Sequence, residues 1–221
     1  MDPKTMEKHA YDFDLKLEDA VSTHAIQFRI IPTGSRVLDI GCHTGILGEA
    51  LRQKKQCIVT GIDSDTAALE VARLRLNAVT MANLEVPGWS TSLVASDARF
   101  DVVLFGDVLE HTKEPERILE EGRALLSAKG FAIVSLPNIA NLRIRLGLLG
   151  GKFEYGDSGI LDQTHIRFFT LSTARRMVRE AGYAIVSETY SGYSMPRWLI
   201  DLFPSLFAVN VILCAVPTAN Q

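Results

Sequence analysis

Short apolar runs alternate along this chain with stretches of helical periodicity, and that alternation is what most constrains the fold. It is the pattern of a parallel sheet whose strands are joined by crossover helices. The first run, Arg36-Val-Leu-Asp-Ile40, is entered through the turn Pro32-Thr-Gly-Ser35 and leads into a glycine-bearing turn. A helix with Ile46, Leu47, Ala50 and Leu51 on one face follows. The second run is Cys57 to Ile62, ending at Asp63, with Ser64 or Asp65 ready to cap the next helix. A weaker run covers Ala78 to Leu84. The fourth, Phe100-Asp-Val-Val-Leu-Phe105, is nearly continuous in apolar residues, as a central parallel strand should be. Its helix carries Pro115 in the first turn and a stripe of Ile118, Leu119, Gly122, Leu125 and Leu126, with Gly130 as the stop. Phe131 to Leu136 is the fifth run. A helix over Leu171–Glu180 capped by Thr170, a sixth run from Tyr183 to Ser187 and a last run over Leu206–Ala215 complete the pattern. The sum is a doubly wound α/β domain: a mostly parallel seven-stranded sheet with helices on both faces. Ligands of such sheets bind outside the carboxyl ends of the strands, where the strand order reverses. That rule points to the turns after Ile40, Ile62, Phe105 and Leu136.

The 221 residues suit one domain with a single core, and 47% hydrophobic with 22% charged residues are ordinary globular proportions. A formal net charge of −3 gives no global drive toward nucleic acid or an anionic membrane, so neither is expected as a partner. The scattered Cys42, Cys57 and Cys214 show no metal spacing and read as reduced thiols, with no metal expected. The charged stretch Met1–Asp14 lacks the apolar centre of a signal peptide, and no apolar run reaches the roughly 20 residues that span a bilayer. A cytoplasmic protein is the expectation. Trp198 to Phe207 offers an apolar contact surface for a second copy of the chain.

The turn after the first run reads Asp39-Ile-Gly41-Cys-His43-Thr-Gly45-Ile-Leu-Gly48. Glycines here let backbone pass close to a ligand, and the following helix offers free N–H groups. A dinucleotide fingerprint needs glycine where His43 stands, and no Gly-Lys-Ser/Thr follows to make a P-loop. Asp39 can accept a hydrogen bond from an ammonium group, which a dinucleotide lacks and an amino-acid-bearing cofactor has. Asp63, about 20 residues further on, is placed to accept from ribose hydroxyls. If His43 sits at positive φ, its side chain costs on the order of 1 kcal/mol there.

Val37 to Gly45, Gly61-Ile-Asp63, and Phe100 to Phe105 continuing into Gly106-Asp-Val-Leu-Glu-His111 together resemble the ordered motifs of the Rossmann-like S-adenosylmethionine-dependent methyltransferases. The branch most similar includes the ubiquinone-biosynthesis methyltransferases, and the resemblance runs from about Tyr11 to Val186. It implies a Rossmann-like methyltransferase fold and S-adenosylmethionine as cofactor. Asp39, Gly41 and Gly45, with Cys42, His43 and Thr44 between them, would hold the methionine portion. Asp63 and Ser64 would take the ribose, Asn83 and Leu84 the adenine, and Gly106 to His111 would line the methyl-transfer site, with Asp107 near the cofactor amine or the substrate. Asn83 departs from the usual Asp, and its amide oxygen can still accept from the adenine amino group. His43 departs from a frequent Gly. Tyr11 and His24 fall in a segment, 1–30, that covers the cofactor in relatives; packing by Ala20, Ile26 and Ile30 is its plainer use. Residues 31–216 would form the methyltransferase domain. Asp97, three residues before the fourth strand, reads as a solvated loop residue.

About thirty residues separate Leu136 from the helix at Leu171, too many for a plain connection, so 137–170 is expected to be a lid or substrate platform. Arg143, Arg145, Lys152, His165 and Arg167 make a local basic set there, suited to an anionic acceptor such as a phosphate-bearing sugar. The alternative is a solvated amphipathic helix with its aliphatic face packed down. Asp162-Gln-Thr-His-Ile-Arg-Phe-Phe-Thr170 resembles a signature of methyltransferases associated with glycan pathways. His165 is the expected general base, because imidazole titrates near neutrality, and His111 is a second catalytic candidate. Structural roles for both compete: His165 and Arg167 orienting the lid, His111 bonding to backbone. The function expected is methyl transfer to a small polar acceptor. An NAD-linked oxidoreductase and a non-catalytic binding subunit are the alternatives.

Overall fold

The computed structural model describes residues 15–193 and 195–218. The opening fourteen residues, Tyr11 among them, lie outside it. Seven strands form one sheet: β1 (Arg36–Ile40), β2 (Ile58–Asp63), β3 (Ala78–Met81), β4 (Phe100–Gly106), β5 (Leu126–Pro137), β6 (Tyr183–Tyr190) and β7 (Asn210–Pro217). Their spatial order is β3-β2-β1-β4-β5-β7-β6. The first five are parallel, and β7 runs antiparallel between β5 and β6. The order reverses between β1 and β4.

The helices are α1 (Thr23–Ile30), α2 (Ile46–Lys55), α3 (Thr66–Arg75), α4 (Thr91–Ala95), α5 (Pro115–Arg123), α6 (Leu142–Leu149), α7 (Leu171–Glu180), α8 (Arg197–Leu202) and α9 (Pro204–Phe207). A single 3₁₀ turn, Leu109–His111, follows β4. Asp65, not Ser64, caps α3, its side chain accepting from Ala67 and Ala68 N–H at 2.8 and 3.1 Å. Thr170 caps α7 reciprocally with Thr173, each hydroxyl accepting from the other's backbone N–H.

Side chains alternate across each strand, so β4 feeds two cores: Val103 and Phe105 pack on one face of the sheet, Val102 and Leu104 on the other. Burial on both faces explains why this strand reads as a continuous apolar run.

Several expected boundaries move. Helix α5 ends at Arg123, and Leu126 already pairs with Phe100 in the sheet. Gly130 therefore sits inside β5 rather than stopping a helix; a Cβ there would stand 2.7 Å from the Phe100 carbonyl oxygen. The pairing shifts register between Phe100 and Val102, which is where this close approach occurs. The last apolar run divides, because Pro204 starts a short helix and only Asn210 onward is strand. Ala20 precedes α1 and is exposed, while Ile26 is buried.

No residue of α6 is fully buried: Leu142 and Ile144 are half-buried, while Leu146, Leu148 and Leu149 are exposed. The two ends of the segment it belongs to meet in a bridge between Asn138 and Phe169. Trp198, Leu202 and Phe203 are likewise exposed. Among the described residues no helix is long and apolar enough to cross a membrane.

Candidate active site

A cavity of about 810 Å³ opens at the carboxyl ends of β1, β2, β4 and β5, at the strand-order reversal. The loop after β1 forms its floor. Gly41 lies at φ 73° with Val108 so close that a Cβ would stand 2.7 Å from its Cγ2, so no other residue fits without displacing the Val108 side chain. His43 also has positive φ, 47°, and its N–H is held by Asp63 Oδ2 at 2.8 Å. The other Asp63 oxygen accepts from Asp65 N–H at 2.9 Å. Asp63 thereby ties the loop after β1 to the end of β2.

Asp39 is buried beneath this loop. Burial, then the nearby charge of Asp63, pushes its carboxyl up to about 7. Burial, then Asp39 and Asp63, also raises the Cys42 thiol, which is therefore an inert packing group.

Of the residues expected to bind the cofactor, Asp39, Gly41, Cys42, His43, Thr44, Asp63, Ser64, Asn83, Leu84, Gly106 and Asp107 all line the cavity. Gly45 instead heads α2 in a left-handed conformation. Asn83 is exposed, and its amide oxygen accepts from Glu85 N–H at 2.9 Å. Asp97 is 88% exposed, as a solvated loop residue should be. His24 and Gln27 of α1 line the cavity as well.

His111 and His165 also line the cavity, their ring centroids 4.8 Å apart in a T-shaped contact. His111 Nδ1 lies 3.0 Å from Thr164 Oγ1 and 3.3 Å from the Thr164 carbonyl oxygen, joining the 3₁₀ turn to the segment after β5. His165 Nδ1 lies 3.1 Å from the Ile160 carbonyl oxygen. Burial, then repulsion from His111, lowers the His165 pKa against the backbone bond and the nearby Asp162 and Asp107, so the ring is neutral at pH 7. Arg143, Arg145 and Arg167 are exposed and do not line the cavity. The Arg145 guanidinium donates to the Ala140 carbonyl at 2.5 Å, and that of Arg167 to the Lys113 carbonyl.

Sequence reasoning passed over several residues that build the site. Ser135 of β5 is fully buried and donates to Asp107 Oδ1 at 2.6 Å while accepting from Gln27 Nε2 at 2.9 Å and Asp107 N–H at 3.0 Å. Asn210 of β7 donates to the same Asp107 oxygen at 2.7 Å. This network holds Asp107 at φ 51°, a conformation that otherwise costs a non-glycine residue energy. Glu110, neighbour to His111, is 1% exposed and pushed well above the carboxylate range by burial, then by Asp107. Its signal was a charged residue in the turn after an apolar strand.

The described residues lining the cavity include seven carboxylates, Asp39, Asp63, Asp65, Glu85, Asp107, Glu110 and Asp162, and neither Lys nor Arg. Such a lining suits a cationic ligand and opposes a pyrophosphate. S-adenosylmethionine, bearing an ammonium and a sulfonium, fits that donor set, and the Asp39 carboxyl held near neutrality is the group a nearby cation would return to its charged form.

A family model described as a methyltransferase domain matches residues 13–188. The chain belongs to this family. The ubiquinone biosynthesis O-methyltransferase of Coxiella burnetii is 32% identical over 203 residues, 90% of this chain and 85% of that protein. The protein of the same name from Neisseria meningitidis is 31% identical over 172 residues, 72% and 71% of the two chains. That from Histophilus somni is 37% identical over 128 residues, and the match spans about half of its length, 52%. Among solved structures, a TehB-like SAM-dependent methyltransferase from Corynebacterium glutamicum superposes with a TM-score of 0.59 at 16% identity, over 90% of this chain and 89% of that one. A SAM-dependent methyltransferase from Mesorhizobium loti gives the same score and identity over 90% and 99%. At these identities the structures establish the fold. This methyltransferase uses S-adenosylmethionine and acts on a small acceptor. The oxidoreductase alternative is set aside.

Proposed function

We propose that this methyltransferase transfers the cofactor's methyl group to a hydroxyl of a small polar acceptor, a sugar or related glycan precursor, whose reacting end enters the acidic cavity. The observation that carries this reading is the convergence of Glu110, His111 and His165 on the same cavity that Asp39 and Gly41 to Thr44 line. A hydroxyl needs a proton acceptor as it takes up methyl, and His165 presents a neutral imidazole there. The relatives named as O-methyltransferases act on oxygen, which favours the same class of acceptor atom.

In this reading the cofactor supplies a methyl group made electrophilic by its sulfonium sulfur. Asp39 accepts from its ammonium group, Asp63 and Ser64 from its ribose, and Asn83 and Leu84 flank the adenine. Gly41, Cys42, His43, Thr44, Gly106 and Asp107 shape the wall around the methionine portion, and Gly45 starts the helix behind it. His165 holds the acceptor hydroxyl and takes its proton; His111 fixes the segment bearing His165 through Thr164. The protein's contribution is chiefly alignment of acceptor and methyl group. Segment 137–170 serves as the lid. Because Arg143, Arg145 and Arg167 stand outside the cavity, they would hold any phosphate on the acceptor at the lid surface, away from the acidic interior.

Turnover with phosphorylated and nucleotide-linked sugars, quinone precursors and small phenols, read as S-adenosylhomocysteine release, tests the proposal. A hydroxyl acceptor is expected to give product, and His165→Ala to slow turnover while S-adenosylhomocysteine binding persists. Activity confined to nitrogen or carbon acceptors overturns the assignment of the acceptor atom. Unchanged turnover in His165→Ala removes its role.

A further inference from the structure

Not all the glycines around the loop after β1 face the cavity. Gly45 and Gly48 at the start of α2, and Gly61 of β2, lie against Leu76, the residue that follows α3. A Cβ on Gly61 would stand 2.6 Å from a Leu76 methyl carbon, and one on Gly45 would stand 3.0 Å from Leu76 Cγ. Leu76 is buried, and none of these three glycines lines the cavity. Their missing side chains make room for a leucine packed against the loop, not for a ligand.

The residue before Leu76 reaches the same loop from the end of α3. Arg75 Nη1 donates to the Thr44 carbonyl oxygen at 3.0 Å. Thr44 is buried and lines the cavity, whereas Arg75 does not line it. The peptide between Thr44 and Gly45 is one that could readily turn over, because Gly45 has φ 76° and no Cβ to oppose rotation. Both sides of that peptide are held: the carbonyl by Arg75, and the Gly45 N–H by the Cys42 carbonyl at 2.8 Å. Arg75 is held in turn from α2. Its Nε lies 3.4 Å from Glu49 Oε2, and its backbone carbonyl accepts from the Arg52 guanidinium. Helix α3 therefore meets the loop at both ends, through Asp63 and Asp65 at its start and through Arg75 at its finish.

We propose that Arg75 is a positioning residue for S-adenosylmethionine: it fixes the Thr44–Gly45 peptide so that Gly41 to Thr44 keep the shape that takes the methionine portion. The inference rests on the placement of the cofactor in the proposed function. Arg75 stands outside the cavity and acts through one carbonyl. A hydrogen bond from a charged donor is among the stronger ones a protein makes. Losing it lets the peptide turn, and the cost of restoring the loop then falls on the binding of the group that the loop holds. That cost is confined to the methionine half, because the adenosine half is placed at Asp63, Asn83 and Leu84.

Calorimetry on the whole chain compares S-adenosylhomocysteine with 5′-methylthioadenosine, which keeps the adenosine and lacks the amino-acid end. Wild type, Arg75→Met, Arg75→Lys and Asp63→Ala are measured, with the melting temperature of each recorded to show that the fold persists. The expected result for Arg75→Met is S-adenosylhomocysteine affinity lowered about tenfold or more and 5′-methylthioadenosine affinity unchanged. Arg75→Lys keeps a charged donor and should recover much of the loss. Equal weakening of both ligands in Arg75→Met, or full S-adenosylhomocysteine affinity, overturns the role, and so does a Lys variant no better than the Met one. Asp63→Ala tests the cofactor placement separately and should weaken both ligands alike. If it weakens neither, while Arg75→Met loses affinity for S-adenosylhomocysteine alone, Arg75 keeps its role and the ribose placement is refuted.

Discussion

Replacing Asp39 by Asn should make the cofactor-free protein more stable at alkaline pH while disabling it. In the folded chain the Asp39 carboxyl titrates near 7, against an ordinary value of 3.8. The folded state thus holds a proton that the unfolded chain releases between about pH 4 and 7, and stability declines as pH rises through that window. The difference of about three pH units, at 1.36 kcal/mol each, amounts to about 4 kcal/mol once Asp39 is ionised in both states. Asn has nearly the same shape and no charge to bury, so Asp39→Asn should gain up to about 4 kcal/mol over the wild type at pH 8 and little at pH 4. Urea denaturation of both proteins without cofactor, at pH 4.5 and pH 8, measures this. A variant no more stable than the wild type at pH 8 would refute the reasoning, since it would mean that Asp39 is not a desolvated charge. The proposed ammonium partner makes the opposite demand. Losing a charged hydrogen bond worth about 1.5–3 kcal/mol should weaken S-adenosylmethionine binding roughly ten- to a hundredfold. Wild-type affinity should also fall below pH 7, by up to about tenfold per unit, because binding then has to expel the Asp39 proton.

Ser135→Ala should cost about 1–3 kcal/mol, as it leaves Asp107, Gln27 and the Asp107 N–H without their shared buried partner; thermal unfolding reads this, and a neutral effect would show that Asn210 alone suffices. His43→Gly should lose no stability and gain up to about 1 kcal/mol, because it removes a side chain from positive φ. Gly41→Ala, which meets Val108, should be the more damaging of the two, and the reverse ranking in melting temperature would contradict the loop geometry. Asp63→Ala should weaken S-adenosylhomocysteine binding by about 1–3 kcal/mol, measured by calorimetry, through lost ribose bonds and the freed His43 N–H.

The sheet was legible because its strands are buried on both faces, so Phe100–Phe105 could hardly be anything else, and because glycine and aspartate mark the turns that β1 and β2 require. Boundaries failed where two periodicities agree. Leu125 and Leu126 satisfy the stripe of α5 as well as the start of β5, and only the pairing of Leu126 with Phe100 decides between them. The cofactor side of the site came from consecutive residues and could be read locally. The network on Asp107 could not, because it joins positions far apart in the chain: Gln27, Ser135 and Asn210 each look like an ordinary polar residue in an apolar element until the fold brings them to Asp107. Glu110 was hidden differently. A charged residue in a turn reads as solvated, and only tertiary packing shows that this one is sealed from water. The three arginines cluster in sequence and lie outside the cavity, since charge clustered in sequence says nothing about which side of a wall it occupies.

Strand β7 lies inside the sheet, between β5 and β6, and its first residue closes the network on Asp107. Its neighbours along the sheet are made earlier in synthesis, so an emerging chain that stops short of Asn210 exposes two unpaired strand edges and an incomplete cavity wall. The site therefore cannot mature in stages as the polypeptide is made, and partially synthesised copies should be both inactive and prone to pair with one another through those edges. The position of one late strand couples the birth of activity to the completion of the sheet.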